Sequence, residues 1–212
     1  MNKKNLFLMA LAMLMAVPVM AGKTHSTTLP NGTKIGGRTS FTFDGSDGYL
    51  GNLSLTYYKG TNEKSTATGK AYRLKELSKS AKGGGQVWYM PAHNLVLLYD
   101  VNLTNVSSLA ENTSGSLTIV VQGTCSVSAT GSKAIVSNGT SITITSLCGI
   151  KGTDSKTSPY LPTTNKVFDN DKAKSNRLTL NKPIESTKWL SIGTLTLDVR
   201  SIMGGKDASL FM

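Results

Sequence analysis

Two cysteines, Cys125 and Cys148, carry the clearest chemistry in this chain. Both border strand-like sequence. In an oxidising compartment a lone pair of this kind is typical of a disulfide, worth about 3 kcal/mol in the chain-entropy description of loop closure. A metal site would need two further soft ligands, and a redox pair would favour C-x-x-C spacing. The sequence therefore predicts a structural Cys125–Cys148 disulfide, with redox and metal roles as the alternatives.

Side chains suited to catalysis are sparse. The chain has two histidines, His25 and His93, and it lacks the G-x-S-x-G, H-E-x-x-H, P-loop and dinucleotide-binding motifs. Segments 44–48 and 169–171 place Asp beside Gly or Asn, which fits turns better than a Ca²⁺ loop. We therefore expect no enzyme, no cofactor and no metal site. A hydrolase whose triad is assembled from distant positions is the weakest hypothesis.

An aromatic pair, Trp88 and Tyr89, stands between the triple glycine at 83–85 and Pro91. Adjacent side chains of an extended segment point to opposite faces. We therefore expect one ring in the core and the other exposed. With Lys75 and Lys79 nearby in the sequence, an exposed ring would form a platform for sugar stacking and a candidate ligand-binding site. The alternative is that Trp88 serves only as core.

The formal net charge is +11, and the basic excess is almost entirely lysine. Dispersed lysines without interleaved arginines and aromatics argue against a nucleic-acid partner. The lysine-rich stretch 59–82 is either a solvated surface or a surface that attracts anionic ligands, such as host glycans.

Residues 1–21 have the layout of a secretory signal peptide: a basic start, an apolar run from Leu6 to Val17, and small residues before a cleavage site after Ala21. The apolar run is too short to cross a bilayer comfortably. We expect residues 22–212 to form a single secreted domain.

The rest of the chain is dominated by short runs in which apolar residues recur at every second position, as in strands. The clearest runs are 39–43, 51–57, 94–103, 116–121, 125–129, 141–147, 177–180 and 194–199. Asn31–Gly32 and Asn138–Gly139 predict tight hairpin turns between strands. Residues 149–176, with two prolines and many charges, predict an excursion over the surface.

One short helix is predicted over Ala71–Lys82, because Ala71, Leu74, Leu77 and Ala81 recur at three- or four-residue spacing. No repeat of fixed period is apparent, which argues against a solenoid. We therefore expect an all-β fold, an antiparallel immunoglobulin-like β-sandwich with one short helix.

Residues 123–149, GTCSVSATGSKAIVSNGTSITITSLCG, resemble the disulfide-bearing first strands of bacterial chaperone–usher fimbrial subunits, in which a C-x-V start leads through a hairpin to a second cysteine. The resemblance implies a pilin-like, incomplete sandwich that a strand from a neighbouring subunit completes. It implies other fimbrial subunits and a periplasmic chaperone and usher as partners. Thr24–Ile35 would be the donated segment and Thr194–Val199 a candidate edge.

These observations predict a secreted, non-enzymatic protein of the bacterial surface. The first hypothesis is a fimbrial subunit that acts in assembly and adhesion by strand complementation, passing through the periplasm to the cell surface. The alternative is a stand-alone extracytoplasmic β-sandwich protein that binds glycans or another ligand.

Overall fold

The structure is a computed structural model that describes residues 25–43, 48–59, 63–77, 85–152, 166–167, 175–199, 202–204 and 209–210. The predicted leader lies outside these residues. The described strands are β1 (His25–Thr28), β2 (Lys34–Ile35), β3 (Ser40–Phe43), β4 (Gly48–Lys59), β5 (Glu63–Leu74), β6 (Gln86–Met90), β7 (Leu95–Tyr99), β8 (Asn102–Val106), β9 (Ala110–Asn112), β10 (Ser116–Gln122), β11 (Thr124–Ala129), β12 (Ile135–Ser137), β13 (Ser141–Gly152), β14 (Lys166–Val167), β15 (Arg177–Leu180), β16 (Ile184–Ser186), β17 (Trp189–Ile192), β18 (Thr196–Val199), β19 (Ile202–Gly204) and β20 (Ser209–Leu210). Short 3₁₀ helices cover Pro30–Gly32, Lys75–Leu77 and Pro91–His93.

From β7 onwards the chain winds as a solenoid of parallel strands. Sheet 1 contains β7, β10, β13, β17 and β20 in that order, sheet 2 contains β8, β11, β15 and β18, and sheet 3 contains β9, β12, β16 and β19. The chain visits sheets 1, 2 and 3 in turn and then returns to sheet 1 one coil further along. Neighbouring strands within each sheet of the solenoid pair in parallel.

The solenoid core is built from side chains that stack from coil to coil. In sheet 1, Val96, Ile119, Ile144 and Ile192 occupy equivalent positions on four successive strands. All four are buried in one hydrophobic cluster. β-Branched side chains suit this position because they pack well on a pleated surface. The alternation seen in the sequence therefore sends every second residue of a strand into this core.

The corners between sheets use residues that tolerate unusual backbone angles. Asp100 (φ 45°) and Gly123 (φ 73°) stand at successive corners between sheets 1 and 2. A Cβ atom on Gly123 would overlap the Asp100 carboxylate, so this position requires glycine. Asn176, at the next corner, accepts the Gly123 N–H on its Oδ1 at 2.7 Å. The corner is thus tied together across coils.

Sheet 1 also forms one wall of a small closed barrel. Strands β4, β5, β6, β7, β10 and β13 pair in sequence, and β13 returns to β4 through antiparallel pairing from Leu147 to Gly152. A second hydrophobic cluster fills the interior: Leu53, Leu55, Ala67, Ala71, Trp88, Met90, Leu95, Leu97, Val120, Leu147 and Ile150. Strands β7, β10 and β13 therefore have one face in the solenoid core and the other against the barrel interior.

The N-terminal segment packs on the first coil. β1 pairs with β3, and β2 pairs antiparallel with β9 of sheet 3. Leu29 and Ile35 are buried in the solenoid core. Lys34 Nζ lies 2.8 Å from Glu111 Oε2 at this junction. Leu29 and Ile35 thus cover the core of their own chain.

The all-β class is confirmed, since 68% of the described residues lie in strands and no helix reaches seven residues. The antiparallel immunoglobulin-like sandwich is not confirmed, because successive coils pair in parallel. The expectation against a solenoid is wrong. The repeat is obscured because the corners differ in length and residues 153–174 are inserted between β13 and β15 of one coil.

The prediction of a short helix over Ala71–Lys82 is wrong for the part of this segment that the structure describes. Residues 71–74 end β5, and only Lys75–Leu77 are helical, as a 3₁₀ turn. Ala71 faces the barrel and Leu74 faces the solenoid core. Because both faces of this strand end are covered, its apolar residues do not alternate, and they mimic helical spacing. Residues 78–82 lie outside the described residues.

The two Asn-Gly predictions differ in outcome. Asn31 (φ 57°, ψ 28°) and Gly32 (φ 61°) form a tight turn closed by the Thr33 N–H on Pro30 O, but the strands on either side do not pair with each other. Asn138–Gly139 is a corner between sheets 3 and 1, so the predicted hairpin is wrong there. Of the predicted surface excursion 149–176, the structure describes residues 149–152, 166–167 and 175–176. Gly149 and Ile150 pair with Val167 and Lys166, and Asn176 is buried.

Candidate functional site

Trp88 and Tyr89 point to opposite faces of β6, as predicted, but both are fully buried. Trp88 lies in the barrel and donates from Nε1 to Gln86 Oε1 at 2.9 Å. Tyr89 lies in the solenoid core and donates its hydroxyl to Asn94 Oδ1 at 2.9 Å. Burial raises the pKa of the Tyr89 phenol. The prediction that one ring would be exposed is wrong, because β6 is covered on both faces.

Lys75, one of the two lysines predicted beside this pair, does not form a site with it. Lys75 is exposed in the 3₁₀ turn after β5, whereas both rings are enclosed. Lys79 lies outside the described residues. The predicted platform of Trp88, Tyr89, Lys75 and Lys79 therefore does not exist as an exposed surface.

The structure leaves Cys125 and Cys148 unbonded, so the predicted disulfide is absent. Cys125 is on β11 of sheet 2 and points into the solenoid core. Cys148 is at an irregularity of β13 and packs against Tyr58. β11 and β13 do not form the hairpin that the fimbrial resemblance implies, and they belong to different sheets.

Burial raises the pKa of each thiol to about 11. Both thiols are therefore protonated at neutral pH, which disfavours nucleophilic and redox chemistry. Within the described ranges, no three His, Cys, Asp or Glu side chains are grouped to hold a metal ion. His93 is exposed, with Nε2 at 3.2 Å from Thr68 O. None of the described helices has the length and hydrophobicity needed to cross a lipid bilayer.

An open cavity of about 380 Å³ lies on sheet 2, lined by Thr179, Leu180, Asn181, Asp198 and Val199. Arg177 Nη1 lies 3.3 Å from Asp198 Oδ2 in an exposed ion pair. Exposed pairs of this kind contribute little energy. The described lining has one carboxylate and no histidine, so it lacks the acid–base pair that hydrolysis requires.

The outer side of sheet 1, where the barrel does not cover it, presents one large aromatic side chain. Trp189 begins β17 and is 41% exposed, the one exposed large hydrophobic residue of the described chain. Its neighbour Leu190 points into the solenoid core. Alternation along the strand therefore directs the Trp189 ring outward.

Strand pairing places hydroxyl groups around this ring. Ser141 of β13 lies opposite Trp189, and Ser116 of β10 lies opposite Ser141. The next outward row consists of residues with hydroxyl groups only. It contains Thr118, Thr143 and Ser191. We call these six residues the Trp189 face.

The Trp189 face is regular and held in place. Strands of one sheet lie about 4.8 Å apart, and outward residues of one strand about 6.6 Å apart. Ser141 Oγ donates to Ser116 Oγ at 2.9 Å, which orders two of the hydroxyls. Asn94 Nδ2 donates to Ser116 O at 2.8 Å and anchors the strand from inside. All six residues are exposed or half-buried.

The sequence interpretation missed this face. The segment 189–192 alternates outward and inward residues, as its burial pattern shows, but it was too short to be singled out. The sequence feature that could have indicated this face is a tryptophan at an outward position of an alternating run. Its hydroxyl neighbours come from strands distant in sequence, so their proximity depends on the parallel register.

Comparison of the chain with protein-family models, curated proteins and solved structures found no match.

Proposed function

We propose that the protein binds carbohydrate through the Trp189 face, as a stand-alone extracytoplasmic protein. The observation that carries the proposal is the exposed indole of Trp189 beside two rows of serine and threonine hydroxyls. An indole offers a flat apolar surface with a polar edge. The apolar face of a sugar ring stacks on such a surface while its hydroxyls bond to neighbouring protein hydroxyls.

The regular spacing of the face favours a polymer over a single sugar. Parallel coils repeat the hydroxyl rows along the solenoid axis, and solenoids offer extended binding surfaces for this reason. No charged side chain is among the six residues of the face. The ligand class that fits is therefore a neutral polysaccharide.

Assembly by strand complementation has less support. Leu29 and Ile35 are the apolar residues of the segment that the fimbrial resemblance would donate, and both are buried in the core of their own chain. β18, the predicted edge, pairs with β15 and is the last strand of sheet 2 among the described residues, so the objection concerns the donated segment and not the edge. Donation would require the first coil to lose its cover, which would expose the solenoid core to water.

Affinity electrophoresis of the purified protein, residues 22–212, in gels that contain soluble neutral glucans, mannans, galactans or xylans tests the proposal. We expect retardation by at least one polysaccharide class. Trp189→Ala should weaken that binding about 10-fold or more, as truncation of a central aromatic contact does. The melting temperature of this variant should be close to that of the unmodified protein, because the side chain that is truncated is exposed.

Two variants serve as controls. Trp189→Tyr keeps an aromatic ring and should retain most of the retardation. Arg177→Ala alters the outer side of sheet 2 and should bind as the unmodified protein does. Retardation in none of the gels, or retardation that Trp189→Ala leaves unchanged, would remove the proposed function.

A further inference from the structure

The outer side of the ribbon formed by β13, β4 and β5 is a second exposed surface, built from different residues. Ala67 and Ala71 of β5 point into the barrel, so Lys64, Thr66, Thr68 and Lys70 point outward. On β4, Leu53 and Leu55 point inward, so Ser54 and Thr56 point outward.

The end of β13 adds a third lysine to this surface. Ile150 is buried in the barrel, and Lys151 is exposed opposite Ser54. Across the ribbon, Ser54 Oγ and Thr68 Oγ1 lie 2.9 Å apart, and Thr56 Oγ1 and Thr66 Oγ1 lie 3.3 Å apart. Lysines therefore flank a central ladder of four hydroxyls. We call these seven residues, Lys64, Lys70, Lys151, Ser54, Thr56, Thr66 and Thr68, the lysine face.

The charge of the lysine face is uncompensated among the described residues. The strands β4, β5 and β13 contain one carboxylate, Glu63, at the hairpin end of β5. Glu63 Oε1 lies 4.0 Å from Lys59 Nζ. No carboxylate of the described chain forms an ion pair with Lys64, Lys70 or Lys151. Three positive charges on one side of a sheet create a field that attracts polyanions.

We propose that the lysine face binds a sulfated polysaccharide. A sulfate ester has three terminal oxygens, so one group can accept hydrogen bonds from a lysine and from a neighbouring hydroxyl together. Lys64 and Lys70 are six residues apart on one strand, about 20 Å, which suits an extended chain with several charges.

Other polyanions fit less well. Nucleic-acid sites stack bases on aromatic side chains and use arginine. The seven residues of the lysine face include neither, and Tyr58, whose ring centroid lies 5.8 Å from Lys64 Nζ, is buried and closed to a base. A membrane surface would need apolar side chains that insert between lipids, and all seven residues are polar.

Binding to immobilised dextran sulfate, carboxymethyl dextran and unmodified dextran tests the proposal, because the three polymers share one backbone. We expect binding to dextran sulfate that weakens with added salt, weaker binding to carboxymethyl dextran and none to dextran. Equal binding to the sulfated and carboxymethyl polymers, or tighter binding to double-stranded DNA of matched charge, would overturn the assignment to sulfate.

Charge-removing variants locate the contact. The triple variant K64Q/K70Q/K151Q should lose roughly 10-fold in affinity for dextran sulfate, the sum expected for three exposed ion pairs. The control K75Q/K182Q/K188Q lowers the net charge equally and should bind nearly as the unmodified protein does. Equal losses in the two variants would show that net charge alone attracts the polymer and would overturn the proposal.

The two proposed surfaces are separable. Trp189→Ala should leave dextran sulfate binding unchanged, and K64Q/K70Q/K151Q should leave binding to the neutral polysaccharide unchanged. Failure of one proposal therefore does not entail failure of the other.

Discussion

The two halves of β13 belong to different kinds of sheet. Residues 141–146 pair in parallel with β10, and residues 141–144 pair in parallel with β17, inside the solenoid. Residues 147–152 pair antiparallel with β4 in the barrel. The register shifts between Leu147 and Gly149, at the point where the neighbour changes. An irregularity of this kind lets one strand bend from one sheet into another.

The pattern of buried side chains reports the faces of a strand but not the direction of its neighbours. Each half of β13 buries apolar side chains in a core, Ile142 and Ile144 in the solenoid and Leu147 and Ile150 in the barrel. The antiparallel ribbon is local, since β4 and β5 are joined by a short connection and pair over their full length. The parallel pairs join residues from different coils, and nothing within one strand specifies them.

Because β7, β10 and β13 form a wall of both the barrel and the solenoid, we expect the two parts to unfold together. Trp88→Ala removes the largest side chain of the barrel interior and should cost about 3–5 kcal/mol. Ile144→Ala removes a side chain from the solenoid core and should cost about 2–5 kcal/mol. Urea unfolding followed by far-UV circular dichroism should give one transition whose midpoint falls in both variants.

Two separate unfolding transitions, with each substitution lowering the midpoint of only one, would contradict this expectation. β7, β10 and β13 contribute side chains to both clusters. If only the barrel or only the solenoid unfolded, these strands would expose one apolar face to water.

A smaller effect is expected at Asn94, a buried residue that joins the N-terminal segment to both β6 and β10. Its Oδ1 accepts from Thr33 Oγ1 at 3.1 Å and from Tyr89. Loss of these bonds leaves buried polar groups unpaired, at about 1–3 kcal/mol. Thermal unfolding of Asn94→Gly measures this loss, because glycine tolerates the positive φ of 42° at this position.

Asn94→Ala adds backbone strain and should be less stable than Asn94→Gly. Asn138→Gly, at an exposed corner, is the matched control and should change stability by about 1 kcal/mol or less. Equal stability of Asn94→Gly and Asn138→Gly would show that the buried bonds of Asn94 contribute nothing.

Local patterns predicted the all-β class and most strand positions. The runs 116–121, 125–129 and 177–180 fall within β10, β11 and β15. The solenoid was not predictable because its corners vary in length and no motif recurs. The barrel was missed because it needs β5, whose end, buried on both faces, mimics a helix.

The exposed aromatic residue was expected at the wrong position in the sequence. An aromatic ring for sugar stacking was expected at Trp88 or Tyr89, but β6 is enclosed between two cores. Trp189 is exposed because β17 lies beyond the barrel wall. That difference depends on which strands close the barrel, which local sequence does not record.

Reduction is expected to have the smallest effect on stability. Reducing agent should leave the melting temperature unchanged, because the thiols are unbonded. Alkylation in denaturant without a reductant should label both cysteines, and alkylation of the folded protein at pH 8 should label neither quickly. If neither cysteine is labelled in the denatured protein, the two are bonded as a disulfide, which would contradict the structure.

The raised pKa values also predict a dependence on pH. Burial raises the pKa of both thiols from 9.0 to about 11. The unfolded chain therefore releases these protons first, and the stability that the thiols contribute below pH 9 is lost as the pH rises to about 11. Buried tyrosines act in the same direction, so the comparison with Cys125→Ala/Cys148→Ala isolates the thiol contribution.

The most direct test of carbohydrate binding uses the fact that the chain has two tryptophans, one enclosed and one exposed. Trp88→Phe leaves Trp189 as the sole indole, and acrylamide quenching of its fluorescence then reports access to the Trp189 face. With a saturating concentration of the polysaccharide that retards the protein most strongly, we predict a clear fall in the quenching constant and a blue shift of the emission. Unchanged quenching and emission under complete binding would place the ligand elsewhere and contradict the proposed function of this face.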